Sequence, residues 1–241
     1  MPLSPQLYHW FIRPQYFTKK YIHNPINRYF TLNNKSVLDF GCGTGANCRI
    51  CLSSRYLGID PDDERVKLAS QIYPEHAFKT FDKDRIPAQD GTFDYVLIIA
   101  VLHHIPNNLI SIYLQEFERV LKPDGELIII EPYICEKTRM NNRFMNWYDD
   151  GDYIRKEEDY LRLFRIGGFD CQVIHKFTKC FLYNEMFFCA KPQSKSDLAV
   201  VADDERNTNQ LDPFMIPLTD NITDEYPETS TFSSEMSNHK R

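Results

Sequence analysis

The feature that most constrains this chain is an apolar run, Val37–Phe40, followed by three glycines at alternate positions, Gly41, Gly43 and Gly45. Glycine adopts backbone conformations closed to other residues and lets a ligand approach the main chain without a Cβ in the way. A helix that follows such a turn presents free N–H groups and a positive dipole end to an anionic group. The run therefore predicts a strand, a ligand-binding turn and a helix within an α/β fold.

Short β-rich runs alternate with helical segments through the middle of the chain. The predicted strands cover residues 36–40, 56–59, 76–81, 95–99, 126–130, 169–177 and 183–190. The predicted helices cover residues 46–52, 64–72, 109–121 and 156–164. Apolar runs that do not alternate are typical of strands buried on both faces, and strands that alternate with helices predict a parallel sheet.

Residues 1–35 differ from this central region in being rich in aromatic and basic side chains. Pro14 and Pro25 interrupt the stretch, which predicts short helices rather than one long helix. We expect the segment to form an N-terminal helical lid, with core packing of a helix as the alternative. The aromatic residues open to both interpretations are Tyr8, Trp10 and Phe11.

The end of the chain has a different composition again. From residue 193 to residue 241, Ser, Thr, Asp, Asn and Glu dominate, which predicts a disordered tail. One apolar patch at residues 211–218 is a candidate for docking onto the domain or for binding a protein partner, and the alternative is a tail with incidental apolar residues. We therefore expect one ligand-binding domain at residues 36–192, with an appendage at each end.

Composition and charge narrow the function classes. The net charge is −6, which counts modestly against a nucleic-acid partner, because such proteins favour a basic face. The seven cysteines, an odd number, are expected to be reduced thiols, with no disulfide framework and no metal site. We see no signal peptide, and the apolar runs are too short to span a membrane. We expect a cytoplasmic protein.

The spacing around the glycines separates two kinds of ligand site. A dinucleotide site prefers G-x-G-x-x-G, whereas this chain has G-x-G-x-G with Asp39 two residues before the first glycine. Asp60 ends the second predicted strand, where a carboxylate accepts hydrogen bonds from both hydroxyls of a ribose. This combination resembles motif I of the class I S-adenosylmethionine-dependent methyltransferases.

Further segments resemble the same family in the expected order, over roughly residues 36–132. They are Phe81-Asp82, Asp90-Gly91-Thr92-Phe93-Asp94-Tyr95-Val96, Ala100-Val101-Leu102-His103-His104 and Val120-Leu121-Lys122-Pro123-Asp124-Gly125-Glu126-Leu127. Asp124 departs mildly from the family, which has glycine there. The resemblance is closest to the broad group that includes ubiquinone- and menaquinone-biosynthesis methyltransferases. It implies a Rossmann-like, seven-stranded, mostly parallel sheet with helices on both faces and an antiparallel last strand.

The resemblance also implies which residues bind S-adenosylmethionine. They are Asp39, Gly41, Cys42, Gly43, Gly45, Asp60, Asp82 and Val101. We expect Asp39 to orient the glycine turn or to reach the methionine amino group. Asp60 is expected at the ribose, with capping of the following helix as its alternative. Asp82 is expected near the adenine amino group, with a solvated loop acid as its alternative.

Three residues are candidates for catalysis, because methyl transfer to carbon, oxygen or nitrogen requires removal of a proton from the acceptor. His103 and His104 are expected at the mouth of the pocket, where either imidazole acts as a base or orients the acceptor. Packing against the cofactor or the next helix is the alternative. Glu131 is a candidate base or acceptor ligand, and an ordinary loop carboxylate is its alternative.

The acceptor itself is less constrained. An aromatic and acidic stretch suits recognition of a planar or cationic acceptor, or else is a surface connection; its residues are Trp147, Tyr148, Asp149, Asp150 and Asp152. We expect a small-molecule acceptor methylated on O, C or N. The alternatives are a protein or RNA methyltransferase and a cofactor-binding pseudoenzyme that acts through a partner.

Overall fold

A computed structural model describes residues 15–82, 85–149 and 151–193. At its centre lies one β-sheet. Its strands are β1 (Val37–Phe40), β2 (Tyr56–Asp60), β3 (Ala77–Thr80), β4 (Phe93–Ile99), β5 (Leu121–Ile134), β6 (Arg155–Lys156), β7 (Phe169–Lys179) and β8 (Tyr183–Pro192). Seven of them follow the order β3-β2-β1-β4-β5-β8-β7, and the short β6 pairs with the end of β5.

Strand direction fixes where a ligand can bind. The neighbours from β3 to β5 are all parallel, whereas β8 runs antiparallel to both β5 and β7. The carboxyl ends of β1, β2 and β4 therefore meet at one edge of the sheet. The predicted Rossmann-like sheet, mostly parallel with an antiparallel last strand, is confirmed.

Helices cover both faces of the sheet. They are α1 (Gln15–Thr18), α2 (Asn24–Tyr29), α3 (Asp63–Ile72), α4 (Asn107–Val120), α5 (Arg139–Tyr148) and α6 (Glu157–Ile166). Successive residues of a strand point to opposite faces. Ile98 of β4 accordingly joins a core cluster with Phe117 of α4 and Phe164 of α6. Its neighbour Leu97 faces a second cluster that contains Ile26 of α2.

The N-terminal segment is helical across Pro25, contrary to the expectation of separate short helices. A π-helical turn, Lys19–His23, joins α1 to α2, and the Asn24 N–H bonds to the Lys19 carbonyl. Pro25 lies in the first turn of α2, where its missing N–H costs little. The wider π-helical turn thus lets the chain continue through a residue that normally ends a helix.

The described part of the predicted lid packs on the sheet. Ile22, Ile26 and Leu32 are buried against strand residues, and the Tyr21 ring stacks on Phe177 of β7 with centroids 6.1 Å apart. Residues 1–14, with the aromatic residues of the lid prediction, lie outside the described residues. The lid therefore stays a prediction for that part of the chain.

Two helical segments differ from the sequence prediction. The predicted helix at 46–52 is a short 3-10 helix, Ala46–Ile50, whose N-cap residue, the left-handed Gly45, provides no capping side chain. Helix α5 was not predicted, because several of its apolar residues face solvent and disguise the helical pattern. The exposed ones are Met140, Trp147 and Tyr148.

The predicted tail lies outside the described residues except for Gln193, whose N–H bonds to the Gly168 carbonyl at 2.8 Å. The apolar patch at 211–218 is likewise outside them. Within the described part of the chain, no helix has the length and apolar character needed to cross a membrane.

Candidate functional site

The three motif glycines form a tight loop, residues 41–45, at the carboxyl end of β1; we call it the glycine loop. Gly41, Gly43 and Gly45 all have positive φ angles, of 71°, 54° and 81°, which side chains other than hydrogen rarely allow. The Gly41 N–H donates to the Ile59 carbonyl at 2.8 Å, and the Gly43 N–H donates to Asp60 Oδ2 at 2.8 Å. Hydrogen bonds from N–H groups of the loop to the backbone and a side chain at the end of β2 therefore hold the loop in place.

Gly41 also lies too close to the opposite side of the site to carry a side chain. A Cβ at this position would lie 2.6 Å from a methyl carbon of Val101. Val101 comes from the segment after β4, so the two segments meet here across the strand ends. Gly45 is crowded by Phe78 of β3, because a Cβ on Gly45 would lie 2.7 Å from the Phe78 ring.

Asp60 is buried at the end of β2 and faces the glycine loop. Its Oδ1 accepts a hydrogen bond from the Asp62 N–H at 3.0 Å. The helix-capping role considered for Asp60 belongs to Asp62, whose carboxylate accepts from the Glu64 and Arg65 N–H groups at 3.0 and 3.1 Å. Asp60 is thus left as a carboxylate on the wall of the cavity.

Asp39 lies behind the glycine loop, with only 1% of its surface exposed. Its carboxylate accepts hydrogen bonds from the Tyr56 hydroxyl at 2.7 Å and from Asn47 Nδ2 at 3.2 Å. Burial, followed by the Asp39 charge, raises the pKa of Tyr56, which keeps the hydroxyl a donor. This placement suits the predicted role of orienting the loop.

A cavity of about 410 Å³ opens at this edge of the sheet. Of the predicted site residues, Gly41, Gly43, Asp60, Val101 and His104 line it. The others lie behind or beside the lining; they are Asp39, Cys42, Gly45, Asp82, His103 and Glu131. Cavity-lining residues that the sequence analysis did not assign to the site include Thr44, Arg65, Phe81, Leu109 and Tyr113.

Cys42 and Asp82 lie outside the lining for different reasons. The Cys42 side chain is buried, and its backbone N–H donates to the Ile59 carbonyl at 3.0 Å. Asp82 is exposed, while the preceding residue, Phe81, is buried and reaches the cavity. Their predicted contacts with a cofactor stay predictions.

The opposite wall is the turn that follows β4, residues 100–105, which we call the post-β4 turn. Ala100 has a positive φ of 56°, a strained value for a residue with a Cβ, and its N–H donates to the Ile130 carbonyl at 2.8 Å. The chain reverses sharply at this point and places Val101 and His104 on the cavity wall.

Glu131 fixes the post-β4 turn from inside the protein. It lies within β5, not in the loop expected after it, and is fully buried. Its Oε1 accepts from the Val101 and Leu102 N–H groups at 2.7 and 2.8 Å, and its Oε2 is 2.8 Å from His103 Nδ1. Both carboxylate oxygens of Glu131 are thus engaged with the turn. Glu131 does not line the cavity itself and affects it only by holding the turn that does.

Arg155, at the start of β6, holds the same turn from the other side. Its guanidinium is buried and donates to the carbonyls of Leu102 at 2.8 Å and Ile105 at 2.5 Å. It also bonds to the Tyr153 carbonyl and to Asn107 Oδ1, at 2.9 and 2.8 Å. The sequence carried no signal for this role, because the partners lie in a segment that is far away along the chain.

His103 and His104 have different surroundings despite being neighbours. His103 is buried between Glu131 and Asp149, with its Nε2 3.4 Å from Asp149 Oδ1. His104 is exposed and lines the cavity, with its ring centroid 4.0 Å from that of His103. Desolvation at the cavity wall, followed by His103, lowers the pKa of His104. The neutral imidazole is therefore favoured at this position.

The aromatic and acidic stretch is divided between surface and site. Trp147 and Tyr148 are 79% and 57% exposed, and they lie at the end of α5. Asp149 turns inward, where it accepts from the Gly151 N–H at 2.8 Å and from the Tyr183 hydroxyl of β8. The structure therefore links Asp149, but not the two neighbouring aromatic residues, to His103.

Cys48 and Cys51 form one Cys-x-x-Cys pair, a spacing that also occurs in redox and zinc sites. Both are free thiols. Burial, followed by the Asp39 charge, raises the pKa of Cys48 to about 12 and raises that of Cys51 as well. Because the thiolate is the reactive form, the raised pKa values count against a nucleophilic role for either thiol.

The cavity suits S-adenosylmethionine on the geometry of its own residues. Gly41 and Gly43 present backbone without side chains, and Asp60 places a buried carboxylate beside them. Backbone at the glycine loop suits the methionine part, and the carboxylate suits a ribose. Phe81 and Leu109 add apolar surface for the rest of the molecule.

Comparison with known proteins agrees with this geometry. Residues 38–129 match a family described as a methyltransferase domain. The chain is 33% identical over 103 residues to a 2-methyl-6-phytyl-1,4-hydroquinone methyltransferase of Synechocystis, which covers 40% of the chain and 31% of that protein. It is 32% identical over 109 residues to a probable tRNA methyltransferase 9B of Mus musculus, which covers 45% of the chain and 23% of that protein.

The chain thus spans about a third or less of these relatives' length. Its fold is that of a crystal structure of a SAM-dependent methyltransferase from Methanosarcina mazei, with a TM-score of 0.56 and 18% identity over 70% of this chain and 98% of that one. The sheet order and the glycine loop agree with the match of residues 38–129 to a methyltransferase domain, so this part of the chain is similar to S-adenosylmethionine-dependent methyltransferases in both sequence and fold.

Proposed function

We propose that this chain is an S-adenosylmethionine-dependent methyltransferase that methylates O, C or N of a small-molecule acceptor. The observation that carries the proposal is the single cavity that joins the glycine loop and Asp60 to His104. A cofactor held at the first two would have the remaining cavity beside it for an acceptor. When bound, S-adenosylmethionine supplies an activated methyl group, so the protein contributes position, dryness and proton removal.

The chain's own residues suit these tasks. Beyond the glycine loop the cavity has an apolar wall made by Ile105, Pro106 and Leu109, which suits a largely apolar acceptor. His104, which lines the cavity and is favoured in its neutral form, would accept the proton that the acceptor loses. Glu131 and Arg155 act as positioning residues, because they fix the turn that carries His104.

An RNA acceptor is a second candidate, supported by the similarity to the probable tRNA methyltransferase 9B. The net charge of −6 counts against it, since a protein that binds RNA needs to offset the phosphate charge. A small-molecule acceptor is supported by the similarity to the hydroquinone methyltransferase and by the apolar wall.

Cofactor binding is tested by calorimetry of the full chain with S-adenosylhomocysteine. Asp60→Ala is expected to weaken binding by at least about tenfold, because charge-assisted hydrogen bonds to a ribose are lost. Asp63→Ala is the matched control, since Asp63 belongs to the same strand–helix connection but pairs with Lys67 and Thr80 outside the cavity. Absence of binding to the unmodified chain would contradict the proposal.

Methyl transfer is tested with labelled S-adenosylmethionine on small-molecule, RNA and protein fractions. We expect label in the small-molecule fraction. His104→Gln is expected to lower the rate by about a hundredfold or more without changing S-adenosylhomocysteine affinity, as for loss of a general base. His175→Gln, on β7 away from the cavity, should leave it unchanged. Label confined to RNA would favour the second candidate, and binding without label in any fraction would indicate a pseudoenzyme.

A further inference from the structure

Three potential metal ligands meet beside the cavity. One ring nitrogen each of His103 and His104 and one carboxylate oxygen of Asp149 lie within 4.8 Å of one another. The histidines come from the post-β4 turn and Asp149 from the end of α5, so folding brings together groups distant in the sequence. We propose that these side chains bind one divalent transition-metal ion with the preferences of Zn²⁺.

The separation of the two inner ligands supports this assignment. His103 Nε2 lies 3.4 Å from Asp149 Oδ1. That distance is long for a charge-assisted hydrogen bond, which spans about 2.7–2.9 Å. It equals the separation of about 3.4 Å between two ligand atoms that each lie about 2.0–2.1 Å from one tetrahedral Zn²⁺ ion. The spacing of this one pair therefore matches that of two ligands of a shared ion.

The outer partners of both ligands are those expected of a metal site. Glu131 Oε2 engages His103 Nδ1 at 2.8 Å, which directs the other ring nitrogen, Nε2, towards Asp149. A carboxylate behind a histidine commonly orients it and raises its basicity as a metal ligand. Asp149 is oriented in turn by the Gly151 N–H and the Tyr183 hydroxyl. With Nδ1–H donating to Glu131, a neutral His103 would turn the lone pair of Nε2 towards Asp149, and a cation bound by both groups would stabilise that arrangement.

The ligand types select the class of metal. Two imidazoles and one carboxylate form a nitrogen and oxygen set that suits Zn²⁺ and neighbouring divalent transition metals. Three protein ligands leave the fourth position of a tetrahedral ion for water or an acceptor oxygen. A ring nitrogen of His104 that coordinates the ion cannot also accept a proton. His104 could therefore act as a base only in the metal-free protein, and the two forms would be alternative states of one pocket.

The test is a titration of the full chain, stripped with a chelator, with CoCl₂, whose visible absorption reports coordination geometry. We expect one Co²⁺ per chain with the intense bands of a tetrahedral complex, and displacement by ZnCl₂. His104→Gln and Asp149→Asn should each weaken binding by more than the tenfold to about hundredfold typical of losing an outer partner. Both residues are less buried than His103, so these variants should fold.

His175→Gln is the matched control and should bind Co²⁺ like the unmodified chain. Absence of Co²⁺ binding would overturn the proposal and would favour a doubly protonated His103 between its two carboxylates. Equal binding by the unmodified chain and both ligand variants would overturn it too, because the ion would then lie elsewhere, for example on cysteine thiols. The titration requires no methyl transfer, so its failure and that of the proposed function are distinguishable.

Discussion

The two walls of the cavity are built in different ways. On the cofactor side, the glycine loop is bonded to the end of β2 by contacts such as that from Gly43 to Asp60, 17 residues apart. On the other side, the post-β4 turn depends on Glu131, 28 to 30 residues away, and on Arg155, 50 to 53 residues from the two carbonyls that it bonds within the turn. The first wall is a local structure, whereas the second is assembled from distant parts of the chain.

This difference explains what each wall needs from its side chains. The glycine loop needs residues without a side chain, and Gly41 is the clearest example because a Cβ there would overlap Val101. The post-β4 turn uses charged residues to bond backbone groups that its irregular geometry leaves partly or wholly without backbone partners. A buried carboxylate, Glu131, accepts from its N–H groups, and a buried guanidinium, Arg155, donates to its carbonyls. The turn, in which Leu102–His104 form a short 3-10 helix, is therefore held by side chains from two other parts of the chain.

The largest effect is expected where the two walls touch. Gly41→Ala should lower S-adenosylhomocysteine affinity by about a hundredfold, because the loop must shift by roughly an ångström to clear Val101. It should also cost about 3 kcal/mol of stability, from about 1–2 kcal/mol for a positive φ plus the overlap. Calorimetry and urea unfolding measure the two effects.

Gly91→Ala separates these two causes. Gly91 has a similar φ of 60°, but a Cβ there meets nothing within 4 Å. We expect only the backbone cost of about 1–2 kcal/mol and unchanged cofactor affinity. If Gly91→Ala lowered affinity as much as Gly41→Ala, the contact between the walls would not be the reason for glycine at position 41.

The sequence was sufficient to predict the first wall and much of the fold. Apolar runs and glycine spacing predicted β1, β2, β4 and the glycine loop, since these depend on neighbours in the chain. Sequence could not assign Glu131 to a strand or give Arg155 a role, because a buried charge is recognisable only once its partners are placed. The prediction of separate short helices around Pro25 was wrong for a related reason, because the π-helical turn before α2 lets the helix continue through this residue.

A substitution that weakens the contacts holding the post-β4 turn is expected to have an effect of intermediate size. Arg155→Lys replaces a planar fork with a single ammonium, which cannot reach the carbonyls of Leu102 and Ile105 together with Asn107. We expect a loss of about 2–3 kcal/mol in the free energy of unfolding. Slower methyl transfer with little change in S-adenosylhomocysteine affinity should accompany it.

Arg162→Lys is the control for that prediction, because Arg162 lies exposed on α6 and should change stability by less than about 0.5 kcal/mol. If Arg155→Lys reduced cofactor affinity as strongly as Gly41→Ala, the two walls would have to be regarded as one cooperative unit. Equal stability of both arginine variants would show that the guanidinium contacts do not hold the turn.

The smallest effect is expected at the Tyr183 hydroxyl, which acts on the post-β4 turn only through Asp149 and His103. Burial, followed by its hydrogen bond to Asp149, raises the pKa of Tyr183, so it stays a donor at neutral pH. Tyr183→Phe should cost about 1.5 kcal/mol, the contribution of one hydrogen bond to a charged group, and about tenfold in Co²⁺ affinity as an outer partner of a ligand. Tyr148→Phe, 57% exposed and stacked on Phe144, should change neither. A stability loss without any change in Co²⁺ affinity would mean that Tyr183 supports the wall but does not orient Asp149 for an ion.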